Sequence, residues 1–383
     1  MKNIKYQDFK FKKKNLFIKK ELYFLLKNPS EVLNSFKSTY KYSFSKKIIN
    51  KFKKISLIRI IGMGGSILGT RAIFDFLSKK IKKKVIFTDD LDTNIRLKND
   101  NLLNIIVSKS GNTLETISNV NLLIKNKNNN IFIVENNKSY LKKLALQLKA
   151  EIIDHNNYIG GRYSVLSEVG MVPAELMGLD EKKFKQFNNL INKKNFIDNL
   201  LNSVSSILHF HNNEKRNSVI LNYDTQAENL FKWYQQLVAE SLGKKSKGIL
   251  PIISNVPKDN HSTMQFYLDG PKNYFFTFFF TNENNSPKIN NKSLLSSFDH
   301  LKNKDVNDIK YSQKKATELV FQKKKIPFRS FEVYERSEQT LGELFTFFML
   351  ETILLAKVMK INPFDQPSVE LVKTQTKKYL SRK

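Results

Sequence analysis

The sequence predicts an α/β protein built from two mainly parallel sheets, each flanked by helices. Three observations carry that expectation. Strand-like runs at residues 56–61, 84–88, 103–107, 131–134 and 151–154 are separated mostly by helical stretches, a spacing that produces βαβ units. A second, looser series runs from 218–221 through the amphipathic stretch 226–240 to 273–280, 326–334 and an apolar helix beginning at Leu341. The length, 383 residues, exceeds what one hydrophobic core organises.

These elements divide the chain into a Lys-rich opening, 1–54, that reads as helical or loose, a first domain, 55–200, and a second, 201–360. A C-terminal helix, 361–383, completes it. The polar connection at 179–203 marks the join. The longest apolar stretch, 341–358, is interrupted by Glu343, Glu351 and Lys357 and reads as a buried core helix, not a membrane span. The opening residues never reach a continuous apolar run, so no secretory signal is expected.

The formal net charge is +30, but lysine runs such as Lys12-Lys13-Lys14, Lys82-Lys83-Lys84 and Lys323-Lys324-Lys325 are scattered along the whole chain. A solvated surface is the expectation, not a nucleic-acid or membrane stripe. With no cysteine, disulfides, thiolate metal sites and a Cys nucleophile are excluded, which fits a reducing cytoplasm.

In open α/β sheets the ligand lies beyond the carboxyl ends of the strands, so the turns after strands matter most. The first is Gly62-Met63-Gly64-Gly65-Ser66, whose glycines allow close backbone approach while Ser66 can cap a helix or bond a hydroxyl or phosphate. It lacks the third glycine of a dinucleotide fingerprint, and alone it reads equally as a tight turn with no ligand. The second is Ser108-Lys109-Ser110-Gly111-Asn112-Thr113, a phosphate cradle of hydroxyls and free N–H groups at a helix start, or an ordinary cap made by Thr113 or Asn112. No Gly-Lys-Ser/Thr ending makes it a nucleotide P-loop.

Paired Gly160-Gly161 present Arg162, a permanent cation whose planar fork suits phosphate or a developing enediolate oxygen. In the amphipathic stretch, Gln236 and Glu240 lie four apart on neighbouring turns, and Glu240 can serve as a general base or as a solvated carboxylate. His261, one of five histidines, has near-neutral titration suited to passing a proton to a ring oxygen. No HExxH pair or His/carboxylate cluster accompanies it, so no metal site is expected. The corner Asn362-Pro363-Phe364-Asp365-Gln366-Pro367 ends one helix and starts another, aiming Lys373 from the new one.

In order and spacing, these six motifs resemble those of the glucose-6-phosphate isomerase family. The resemblance implies two sugar-isomerase domains, a homodimer, no cofactor and a sugar-phosphate substrate. It also implies roles: Ser108, Ser110, Thr113 and the Lys109 backbone for the phosphate, and Gly65 and Ser66 near the sugar. Gln236 and Gln366 would contact substrate, and Arg162 would stabilise an enediolate. Glu240 would shuttle the proton, with His261, from the partner subunit, and Lys373 opening the ring. Pro367-Ser368 stand where many members have Trp-Gly, Val372 replaces a glycine, and the chain is short for the family. Three other readings are a dual phosphoglucose/phosphomannose isomerase, a non-catalytic sugar-phosphate sensor, and a nucleic-acid-binding surface.

Overall fold

The computed structural model describes residues 3–10, 15–92, 102–124 and 129–382, so the Lys12–14 run lies outside the described residues. Their strands are β1 (Ile4–Gln7), β2 (Leu57–Ile61), β3 (Lys84–Thr88), β4 (Leu102–Val107) and β5 (Asn130–Glu135). Then follow β6 (Glu151–His155), β7 (Asn217–Asn222), β8 (Leu250–Asn255), β9 (Tyr274–Thr281) and β10 (Phe328–Val333).

The first sheet has the order β3-β2-β4-β5-β6 and every pairing is parallel. Its central strand is buried at all six positions, the pattern of a sheet covered by helices on both faces. The second sheet, β1-β10-β9-β7-β8, is parallel except for β1, which pairs antiparallel with β10 in the register Ile4↔Val333.

Two of these strands were hidden from sequence reading. The Lys-rich opening reads as helical or loose, yet its first described residues close the second sheet's edge more than three hundred residues away in sequence. Four residues are too few to show a period, and the pairing fixes them. At the other edge, Pro251 obscures β8, because a proline cannot donate in a central strand; at an edge it is tolerated.

The helix Glu338–Val358 lies in the interior, with Leu341, Leu344, Phe345, Phe348 and Leu354 inaccessible to solvent. No helix of the described residues is long and apolar enough to cross a membrane. Within this core, Arg329 on β10 is ion-paired with Glu351, the two side chains 3% and 1% exposed. One apolar cluster joins residues of both sheets, including Ile58, Ile105, Ile220 and Phe275, with Leu350 of the helix Glu338–Val358. The helix Lys194–Asn212 runs through residue 200, so the chain passes between the sheets along a continuous helix.

Candidate active site

The turn after β2 is the point where the other motifs meet. A Cβ on Gly62 would lie 3.0 Å from the Val107 carbonyl, next to the Ser108 turn, and one on Gly64 would lie 2.9 Å from Gln236 Nε2. Gly65 has no room at all. Its Cβ would stand 2.2 Å from the Gly161 carbonyl carbon and 2.5 Å from the Arg162 nitrogen, closer than real contacts allow. The glycine turn therefore touches the Ser108 turn on one side, the helix Glu228–Leu242 on another, and the turn carrying Arg162 behind it. Ser66 sits in the same place, half-buried, its amide bonded to the Met63 carbonyl at 3.1 Å.

Arg162, in the 3-10 turn Gly161–Leu166, is buried, and a buried guanidinium needs a partner for each of its five N–H bonds. It has five. Nε donates to Ser241 Oγ (2.9 Å), Nη1 to Glu240 Oε2 (3.0 Å) and Gln366 Oε1 (2.6 Å), and Nη2 to the carbonyls of Pro363 (2.6 Å) and Asp365 (3.0 Å). Glu240 accepts from Gln236 Nε2 on its other oxygen at 2.8 Å, as the four-residue spacing on one helix requires. Its side chain is 29% exposed, so a carboxylate anchored on both oxygens still reaches solvent. Gln236 Oε1 is buried with no partner and can accept one further hydrogen bond. Arg162, Gln236, Glu240 and Gln366 are thus brought into one hydrogen-bonded cluster.

Sequence reading missed several members of this cluster. Ser241 is inaccessible to solvent, and Tyr163 bonds to its hydroxyl at 2.8 Å; burial pushes the Tyr163 phenol up to about 12. The available signal was a serine continuing the apolar face made by Leu230, Tyr234, Leu237 and Val238. Lys244, past the end of the same helix, pairs with Asp365 at 2.6 Å and holds that carboxyl below its usual value. The corner at residues 362–366 is thereby tied to the Glu240 helix.

In the second turn, Thr113 occupies the cap position of the helix Leu114–Leu123, but its hydroxyl makes no cap bond. It lies 3.0 Å from Ser108 Oγ instead, while Ser110 Oγ accepts from the Asn112 amide at 3.2 Å. The N–H groups of the helix start keep their donors and the positive helix end, the arrangement that binds anions. The Lys109 ammonium turns away to Glu135, 3.5 Å distant.

Two sequence-predicted residues stand apart. His261 is exposed on the helix Asn260–Asp269, and none of its described contacts reaches the Arg162 cluster. Lys373 is in the second turn of the helix Val369–Leu380, which buries none of its residues; its side chain is 60% exposed and its ammonium bonds Glu370 at 2.7 Å. Among the described residues no group of three or more His, Cys, Asp or Glu side chains is placed to hold a metal ion.

Known proteins share this fold and much of this sequence. The solved structure of a hypothetical protein from Thermus thermophilus shares the fold, with a TM-score of 0.84 at 20% identity over 96% of this chain and 95% of that one. A glucose-6-phosphate isomerase structure from Chlamydia trachomatis gives 0.67 at 21% identity, covering 88% of this chain and 72% of that one. In sequence, the glucose-6-phosphate isomerase of Methanocaldococcus jannaschii is 31% identical over 351 residues, 84% of each chain. That of Mycoplasmopsis synoviae is 30% identical over 352 residues, 84% of this chain and 81% of its own. The family profile described as phosphoglucose isomerase matches residues 30–256, a span that holds the glycine turn, the Ser108 turn, Arg162, Gln236 and Glu240. By that match and by these relatives, the chain belongs to the phosphoglucose isomerase family.

Proposed function

We propose that the chain interconverts glucose 6-phosphate and fructose 6-phosphate in the cytoplasm, with Glu240 as the base. The observation that carries this reading is the Glu240 carboxylate, held by Arg162 on one oxygen and Gln236 on the other yet open to solvent. A base that must take a proton from one carbon and return it to the next needs a fixed position and a route to the substrate, and this one has both.

The hydroxyls of Ser108, Ser110 and Thr113 and the following helix start anchor the phosphate, with Gly65 and Ser66 alongside the sugar. Glu240 takes the proton from carbon 2 of the open aldose and delivers it to carbon 1. The hydroxyl proton moves the same way, from the oxygen on carbon 2 to the oxygen on carbon 1, through the cis-enediolate. Arg162, a permanent cation in a buried setting, stabilises the oxygen on which charge develops. Gln236 and Gln366 align substrate and base. Carbon 1 is reduced as carbon 2 is oxidised, so the reaction balances without a cofactor. Ring opening falls to Lys373 and to His261, the latter supplied by the partner in a homodimer.

The test is Glu240→Gln, which keeps the size and the Gln236 contact but removes the base. Loss of general-base catalysis lowers kcat by about 10²–10⁴-fold. In a coupled assay on fructose 6-phosphate, with KM and thermal midpoint measured alongside, turnover within tenfold of wild type rejects Glu240 as the base.

A further inference from the structure

A second concave site lies on the amino-terminal edge of the other sheet. It encloses about 370 Å³, within the size range of small-molecule pockets. Lys215 stands just before β7, Tyr274 begins β9 and Pro327 precedes β10, so the pocket opens beside the amino ends of these strands. It shares no residue with the Arg162 cluster or the Ser108 turn.

The wall chemistry is one-sided. Lys215, Lys272, Lys324 and Lys325 line the pocket together with His209, and no carboxylate does. Among the described residues none of the four lysines is in an ion pair with an acidic side chain, whereas lysines elsewhere such as Lys46, Lys80 and Lys314 are. The Lys215 ammonium donates to the Lys272 carbonyl and the Lys272 ammonium to that of Leu268 at 3.0 Å, so both rest against backbone carbonyls. Burial, and then the charge of Lys272, lower the pKa of Lys215, the direction expected of ammonium groups crowded without a counter-ion.

The remaining wall is aromatic and apolar. Tyr267 and Phe276 are buried, their ring centroids 5.3 Å apart, and the half-buried Tyr274 lies 6.0 Å from Tyr267. Pro271, Pro327 and Ile326 complete this side. A bare phosphate would satisfy the lysines and leave the aromatic side empty. A nucleic acid strand needs a long track, and this site is a single concavity of about 370 Å³. A flat base joined to a chain of phosphates matches both halves, the base against the aromatic side and the anionic oxygens against the ammonium groups.

We propose that this pocket binds a nucleoside di- or triphosphate. The test is calorimetric titration of the full chain at physiological salt with ATP, ADP, adenosine and inorganic tripolyphosphate. One saturable site per chain is expected for the two nucleotides, unaffected by saturating fructose 6-phosphate, with adenosine and tripolyphosphate each at least tenfold weaker than ATP. The double variant Lys215→Met/Lys324→Met lowers ATP affinity at least tenfold. Tyr274→Ala removes the preference of ATP over tripolyphosphate. The control Lys53→Met/Lys54→Met, which lowers the net charge equally at an exposed turn before β2 that shares no residue with the pocket, leaves affinity unchanged. Isomerase kcat and KM without nucleotide stay at wild type in all three variants. The proposal is overturned by an absence of saturable binding, by displacement with fructose 6-phosphate, by equal affinity for tripolyphosphate, or by equal losses in the double variant and its control. Because the readout is binding, it stands whether or not the chain turns over hexose phosphate.

Discussion

Gly65→Ala puts one methyl group where the structure has none to spare. The new Cβ would lie 2.2, 2.5 and 2.6 Å from Gly161 C, Arg162 N and Gly161 O, all backbone atoms, so no side-chain rotation relieves it. Restoring ordinary contact of about 3.4 Å or more requires the two turns to part by roughly 1 Å, the scale at which misplaced catalytic groups lose about 10²-fold in rate. Overpacking of this kind also costs about 1–3 kcal/mol of stability. Gly161→Ala is the internal comparison, since its Cβ would meet nothing closer than 3.5 Å. Steady-state kinetics on fructose 6-phosphate and thermal melts of both variants decide the matter. The expected order is a loss of about 10²-fold in kcat/KM and a lowered midpoint for Gly65→Ala, against near-wild-type values for Gly161→Ala. If the two behave alike, close approach of the turns is not what positions Arg162.

Other predictions concern stability and the site's fine positioning. Burial holds the His155 imidazole down to about 4, from 6.5, despite the Ile159 carbonyl 3.0 Å from its Nε2. The folded pKa is the lower one, so the unfolded chain binds more protons, and stability of roughly 3 kcal/mol present above pH 6.5 is lost as pH falls through 4. His155→Leu costs about 1 kcal/mol at pH 7 through the lost hydrogen bond, yet flattens that acid slope, which urea titrations across about pH 4–7 will show. Glu351→Gln leaves the buried Arg329 cation without its counter-charge and is expected to cost about 3–5 kcal/mol, whereas Arg329→Met/Glu351→Leu recovers most of it in chemical denaturation. Gln366→Ala frees one N–H of Arg162 for substrate and removes a side-chain contact, so KM is expected to rise by about tenfold or less with the thermal midpoint within about 2 °C of wild type; a collapse of stability would make Gln366 a structural strut.

The parallel sheets were legible because their strands, buried on both faces, are written as short apolar runs such as Ile58 to Ile61 and Leu102 to Val107, bounded by glycine and small polar turns. The Arg162 turn was legible as constrained, but for a reason that changes with the structure. A Cβ on Gly160 would meet only the Tyr163 ring at 3.9 Å, and the glycine that makes room for Arg162 is Gly65, in a turn that belongs to the other end of the first sheet's sequence. What stayed hidden depends on chain closure over long distances. The carbonyls of Pro363 and Asp365 that hold Arg162 are 201 and 203 residues away, and a carbonyl carries no residue identity to read. Strand β1 likewise becomes a strand only because β10 offers it an edge.

The positions of the predicted residues also divide by what the chemistry asks of them. Groups that must be fixed closely, Arg162, Glu240 and Gln236, are locked by bonds made entirely within the chain. Among the described residues Lys373 is bonded only to Glu370, three residues before it on the same exposed helix. A twelve-residue helix with no buried side chain is marginal in water, so the Lys373 ammonium has no fixed address while the helix stands alone. That helix exposes Leu371, Val372, Tyr379 and Leu380, and the helix bearing His261 exposes Phe266. Apolar side chains lie open on the very elements that carry both ring-opening candidates, so the covering surface that orders them in a homodimer would bury apolar area and complete the site in one step. Under the proposed function, proton transfer would be a property of the folded chain and ring opening a property of the assembly.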